Sequence, residues 1–521
     1  MQHSKGFVAY LIVTAALCGA LVMVIEVLGS RVIGPFFGVS LFVWTSLITV
    51  TMVALAAGYA IGGHWSDRKS SPDWLYGIIM VSGVLVILVP ALKSPILQMS
   101  LPLGLRWGSL TSAFLLFGPA LFLLGCVSPY VVKIAAREMH NIGRTVGSFY
   151  AISTVGSVIG TMLTGFVLIA FLGINQIFFL TGTLLIALGI FYFLFFRRKW
   201  AVAAVAVLPF FFLPHEAHVK KVLADGTLVE RIANRDSFYG NLKVVNYSFQ
   251  DKQQRELIID GMVQGGVDMR NGLSVYEYSY LLQFMPYALN PDGKNCLVIG
   301  LGAGLVPSWY QAQGVHTEVV DIDPEVIDLA RRYFNFNPAI TAHVEDARYF
   351  LINSGKQYDF LILDVFNGDT TPGHLVSIEA MQLIKQRMAP GGVVAVNLVG
   401  SLKKDNFMTA SVVKTLQTAF DQVTIYPTFD PALSGSGNLE IVAYDGPPRP
   451  LQFNRLNNIA IHPLAESMVR LGMERPYAFP PQTPAMILTD DYNPIDFYDL
   501  KLKEDVRKTI LDTTDFDILL S

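Results

Sequence analysis

Cysteine is scarce in this chain. Only three occur, Cys18, Cys126 and Cys296, each in apolar surroundings and none in a CxxC pair. That excludes a disulfide framework and a zinc knuckle. The nine histidines fall into no metal-ligand spacing such as HExxH, so no metal is expected. Charge is thin as well, at 15% of residues, and it is unevenly placed. Residues 1–214 hold 12 basic and 4 acidic side chains, net +8, whereas the remainder holds 26 and 37, net −11. A C-terminal part this acidic argues against a nucleic-acid partner. It would instead steer a cationic ligand toward itself.

Apolar residues make up 52% of the chain and crowd into its first 214 positions. Runs with few charges cover about 7–29, 39–61, 74–92, 109–132, 147–171 and 175–196. Each is near the roughly 20 residues needed to cross about 30 Å of hydrocarbon. The spacing predicts six membrane spans. A seventh run, Ala201 to Leu213, contains Pro209; at the α-helical rise it reaches about 20 Å, too short to cross. With a cytoplasmic N-terminus, nine Lys and Arg fall in inner loops and only Arg31, Lys93 and Arg106 in outer ones. Six crossings then return the C-terminal domain to the cytoplasm in a multi-pass protein of the cell (inner) membrane, whereas a true seventh crossing would place it outside. Gly156 and Gly160, four apart, predict close helix packing.

After the membrane part, Thr227–Glu230, Leu242–Tyr247 and Arg255–Asp260 read as short strands, with a turn at Asp260-Gly261. A helical stretch from Ser274 to Leu289 leads on to the most informative segment. Cys296-Leu-Val-Ile-Gly300 is a buried strand, Gly300-Leu-Gly302-Ala-Gly304 a glycine turn, and Thr317–Val320 a second strand ending in Asp321-Ile-Asp323. Glycines let the backbone bend sharply and approach a ligand, while an acid about 20 residues on suits a ribose diol. Pro307 in the following helical turn and the alternating glycines fit an S-adenosylmethionine-type fold better than a dinucleotide fold. In that reading Asp346 and Ala347 address the adenine. Asp364, after the strand Tyr358–Leu363, converges with Asp321 and Asp346 on one crevice.

Several motifs resemble the spermidine synthase family. Asp236–Val244 is similar to its first hairpin strand, Leu257–Gln264 to its L-x-x-D-G-x-x-Q element, and Glu277–Tyr280 to the E-F-x-Y helix. Asp364-Val-Phe-Asn-Gly-Asp369-Thr-Thr-Pro372 stands where the family has its gatekeeping loop. Glu26–Arg31, Gly38–Ser46, Gly58–Arg68, Tyr150–Gly160 and Leu488–Pro494 resemble the membrane-fused members.

The implied architecture is a membrane domain over 1–214, a β-hairpin unit with its connecting helix over 215–290, and a Rossmann-like aminopropyltransferase domain over 291–521. The implied reaction moves an aminopropyl group from decarboxylated S-adenosylmethionine to a small amine such as putrescine. Asp364 would accept the amine proton. Gly300, Gly302, Gly304, Asp321, Asp323, Asp346 and Ala347 would bind the cofactor. Gln264, Tyr280, Asp369 and Pro372 would line the amine site. Soluble relatives assemble as oligomers, which makes a homo-oligomer an expectation here.

The chain departs from the pattern at Ala303, where the family carries an acid for the aminopropyl ammonium, at Leu281, in place of a His, and at Gly240, in place of a Gln. One lost charge-assisted hydrogen bond weakens binding about 10- to 150-fold. Two other readings therefore stand beside the first: a membrane-anchored methyltransferase using ordinary S-adenosylmethionine, and a polyamine- or nucleoside-binding transporter or sensor.

Overall fold

A computed structural model describes residues 5–38, 41–136, 142–213, 219–366, 371–456, 459–498 and 500–520. The chain divides into two compact units: Met1–Ala217 with Asp236–Gly240 and Leu520, and the remainder.

The first unit is helical. Its long helices are Lys5–Phe37, Leu41–Arg68, Pro72–Ser100, Gly104–Ala136, Ile142–Leu163 and Ile174–Phe191. Among the described residues, five helical stretches are long and apolar enough to cross a membrane. One of them, Pro72–Ala135, is 64 residues long and contains two of the predicted runs. A 3-10 turn at Leu101–Leu103 and Gly104, at φ +76°, separate its two helices. Small residues set the packing. A Cβ at Gly156 or Gly160 would run into the backbone of Ala16 or Ala20, so these glycines bring Ile142–Leu163 against Lys5–Phe37 as closely as backbones allow. Trp200–Phe212 is a 3-10 helix of 13 residues rather than an α-helix. At about 2.0 Å per residue it extends roughly 26 Å, longer than the α-helical reading of the sequence gives.

The second unit holds two sheets. The smaller has the order β1-β2-β3-β4-β5. Its strands are β1 (Lys220–Val222), β2 (Leu228–Asp236), β3 (Asn241–Phe249), β4 (Lys252–Ile259) and β5 (Met262–Asp268). The β3–β4 and β4–β5 pairs are antiparallel. Asp260 (φ +47°) and Gly261 (φ +83°) form the tight turn between β4 and β5, as a two-residue hairpin loop with both central φ positive requires.

The larger sheet comprises β6 (Asn295–Ile299), β7 (His316–Asp321), β8 (Thr341–Val344), β9 (Tyr358–Leu363), β10 (Met388–Ser401), β11 (Gln422–Pro427) and β12 (Ser436–Tyr444). Its order is β11-β12-β10-β9-β6-β7-β8. The chain moves outward from β6 through β7 to β8, then returns to place β9 on the other side of β6. All these neighbours are parallel, and β12 alone runs antiparallel to β10. This is a Rossmann-type arrangement of the methyltransferase kind, with its topological switch point between β6 and β9.

Alternate residues feed opposite cores. Cys296, Val298, Phe360 and Ile362 pack on one face, while Leu297, Ile299, Leu361 and Leu363 pack on the other. Both faces are covered, so the central strands read as unbroken apolar runs.

Candidate functional site

The site grows from the carboxyl ends of β6 and β9. Gly300, Gly302 and Gly304 all have positive φ, at +87°, +52° and +76°. A Cβ at Gly300 would collide with the Asp364 carbonyl, and one at Gly302 would sit 2.6 Å from the Gln264 carbonyl. The turn therefore lies pressed between the end of β9 and β5. Gly304 opens the helix Leu305–Ala312.

Asp321, at the end of β7, holds the turn in shape. Its Oδ2 accepts from Leu301 N at 2.9 Å and its Oδ1 from Asp323 N at 2.9 Å. Burial pushes its carboxyl up to about 6. Two carboxylate oxygens carry about four acceptor sites, so capacity for a diol is left. Asp323 caps the helix Pro324–Tyr333 by accepting from Glu325 N at 3.0 Å. Asp346 caps Ala347–Asn353 by accepting from Tyr349 N at 3.0 Å, and Ala347 is buried beside it.

A cavity of about 140 Å³ opens beside the turn. Gln264, Tyr276, Tyr278, Gly302, Asp364, Phe366, Asn397 and Asn438 are among its walls. Asp364 is its one lining carboxylate among the described residues. Asn397 Nδ2 donates to Asp364 Oδ1 at 2.8 Å, and Asn438 Nδ2 donates to Asn397 Oδ1 at 2.9 Å. This chain of amides fixes the carboxylate's rotamer. Burial raises the Asp364 carboxyl to about 6, with the Asn397 hydrogen bond pulling the other way. A carboxylate so poised is a competent base near neutral pH.

Gln264 lies at the wall, its carbonyl accepting from Tyr278 Oη at 3.1 Å. Tyr280 is not among the lining residues; it is buried, donating to Ser274 O at 2.8 Å and accepting from His462 N at 3.0 Å. Its neighbours Tyr276 and Tyr278 line the cavity instead. Pro372 precedes the 3-10 turn Gly373–Leu375, also away from the lining. Asp369 lies outside the described residues.

Sequence reasoning missed Tyr276, Tyr278, Asn397, Asn438 and the buried Glu440 on β12. A signal existed for two of them: Asn397 is the lone polar residue within Val393–Val399, and Glu440 interrupts the apolar end of β12.

Fold and site together define a Rossmann-type domain of the methyltransferase kind with a buried carboxylate, raised to about 6, at its switch point. Residues 276–443 match the family model described as "Spermine/spermidine synthase domain". The chain is 38% identical over 121 residues to a polyamine aminopropyltransferase of Vibrio vulnificus, covering 22% of this chain and 40% of that one. It is 34% identical over 139 residues to an N-terminal histidine N-methyltransferase of Emericella nidulans, covering 26% of this chain and 25% of that one. The matches thus span two fifths and one quarter of those relatives. Among solved structures, a probable spermidine synthase from Corynebacterium glutamicum aligns with 19% identity and a TM-score of 0.38, over 46% of this chain and 85% of that one.

Proposed function

We propose that this chain is a membrane-anchored polyamine aminopropyltransferase, an enzyme that transfers aminopropyl from decarboxylated S-adenosylmethionine to a diamine such as putrescine. The observation that carries the reading is Asp364. It is a carboxylate raised to about 6 by burial, fixed by Asn397 and Asn438, and facing a cavity beside a glycine turn. The polyamine aminopropyltransferase named above and the matched synthase domain support it.

The residues fit the adenosyl group. The three positive-φ glycines form a tight turn whose Cβ positions are taken up by Asp364, Gln264 and Phe336, so only bare backbone can line it; Asp321 would hold the ribose diol, and Asp346 with the Ala347 backbone the adenine. The bound sulfonium supplies an electrophilic carbon. Asp364 accepts a proton from the amine, which frees the nitrogen's lone pair. A nitrogen–carbon bond then forms as the sulfur–carbon bond breaks, its electron pair passing to sulfur to give methylthioadenosine. Orienting the amine in line with that carbon is the larger share of the work. Asp369 would meet the far end of the amine. The domain limits we propose are 1–214, 215–290 and 291–521. The first of these would be anchored in the cell membrane through its apolar helices, with the catalytic domain in the cytoplasm.

Ala303 favours a second reading, a methyltransferase using ordinary S-adenosylmethionine, and the fungal N-methyltransferase relative supports it. One experiment separates the two. The purified chain is incubated with putrescine and either sulfonium, and the nucleoside product is identified. Methylthioadenosine supports aminopropyl transfer, S-adenosylhomocysteine supports methyl transfer, and neither product rejects both.

A further inference from the structure

Glu440 is fully buried, and neither of its carboxyl oxygens has a hydrogen-bond partner among the described residues. A carboxyl group left alone in an apolar interior costs several kcal/mol if ionised, so its surroundings matter. Glu440 stands directly opposite Asn397 on β10 and Tyr426 on β11. Paired residues of antiparallel strands project to the same face, as do residues two apart on one strand. Glu440 therefore shares its face with Asn397 and Asn438, both of them walls of the cavity, and lies one step deeper than Asn438. Its charge reaches Tyr278, another wall, and it feels the charge of Asp364. Burial, and then the charge of Asp364, push its carboxyl well above the usual carboxylate range, and among the described residues no cationic side chain offsets them. Asp364 lines the cavity and Glu440 lies behind its wall within electrostatic reach of Asp364, while Tyr276, Tyr278 and Phe366 supply aromatic lining.

We propose that Glu440 is a further anionic anchor behind the wall of the amine cavity, in addition to Asp369, and makes the site selective for a substrate with two ammonium groups. Asp364 takes the end that reacts, and Glu440 offsets the charge that stays. The proposal rests on the aminopropyltransferase reading and adds to it the residue that counts the substrate's charges. It also predicts that Glu440 does nothing for the unliganded fold, since it makes no bond there.

The test compares the full chain with Glu440→Gln and Glu440→Met, using 1,4-diaminobutane and 1-aminobutane as paired acceptors. Methylthioadenosine release gives kcat/KM, and thermal melting with and without each amine gives binding independently of turnover. The parent should prefer the diamine, and that preference should shrink about 10- to 150-fold in both variants, the loss expected for one charge-assisted contact. The diamine's stabilisation of the fold should shrink with it. Unchanged discrimination in either variant overturns the proposal. So does collapse of an unliganded variant, which would make the carboxyl a structural support. If the parent turns over no amine yet is stabilised by the diamine only when Glu440 is present, the charge-counting role stands and the transferase reading falls.

Discussion

Asp364 and Asp321 show how one environment gives two carboxylates different tasks. Both are raised to about 6 by burial, but Asp321 accepts from the backbone N–H of Leu301 in the turn it supports and from that of Asp323, while Asp364 faces the cavity. Only the ionised form of Asp364 can take a proton. Activity should therefore fall as pH drops through about 6, with kcat/KM following one ionisation of the free enzyme. Asp364→Asn should lower kcat about 10²- to 10⁴-fold with little change in cofactor affinity, a split that initial-rate kinetics resolve. Asp321→Ala should do the reverse, weakening the adenosyl co-substrate roughly 10- to 150-fold in equilibrium binding. Stability has its own sign. A carboxyl whose folded pKa lies above its unfolded value binds more protons when folded. The domain should accordingly lose stability as pH rises from about 4 through 6, and keep that loss above it. The two aspartates were legible from sequence because strand ends and a glycine turn announce them. Asn397, Asn438 and Glu440 were not, since pairing across β10 and β12 has no local trace beyond a polar letter in an apolar run.

Elements bring these residues together, and some announce themselves better than others. The strands β6, β7 and β9 are short apolar runs bounded by turn residues, and the sequence reading found all three. It missed β5, because Met262–Asp268 carries two adjacent glycines, which strands usually avoid. The reason is contact. A Cβ at Gly265 would lie 2.9 Å from the Ala303 side chain, and one at Gly266 would lie 2.7 Å from the Tyr276 ring. β5 is thinned so that the glycine turn and the cavity wall can close on it. The segment Leu488–Pro494 was recognised as a motif with no task attached, and its contacts supply one. Asp490 takes both Arg348 Nη groups at 2.7 and 2.8 Å and accepts from Ser377 Oγ at 2.6 Å. Asn493 Nδ2 donates to Gly373 O at 2.7 Å. These bonds brace residues 371–377, the stretch that follows the loop after Asp364, against the helix that begins at Ala347. Asp490→Ala should cost about 1 kcal/mol of stability, as partly exposed ion pairs do. It should also raise the amine KM several-fold more than the adenosyl KM, and hydrogen exchange across 371–377 should quicken. Equal changes in both KM values would assign the brace to folding alone.

At the scale of the whole chain, composition splits the molecule before any motif is read: net +8 over 1–214 and net −11 beyond. Run length predicts six spans, whereas five helical stretches among the described residues are long and apolar enough to cross, Pro72–Ala135 containing two of the predicted runs; the geometry of Trp200–Phe212 did not follow from run length either. Run length sets how many residues are available, and helix type sets how far they reach. As an α-helix this segment would be about 20 Å long; as the 3-10 helix observed it is about 26 Å, within a few ångströms of the hydrocarbon thickness. Under the proposed topology, six crossings would return the chain to the cytoplasm, where adenosyl co-substrates are made; a seventh would place the acidic domain outside. The charge bias of the loops and the chemistry of Asp364 both favour six. The three native cysteines are buried, which leaves a quiet background for labelling. A single cysteine introduced at the exposed Gln417 should resist a membrane-impermeant maleimide in intact cells and react once they are permeabilised. Reaction before permeabilisation would mean that Trp200–Phe212 crosses, and the enzyme would then have to find its sulfonium outside the cytoplasm.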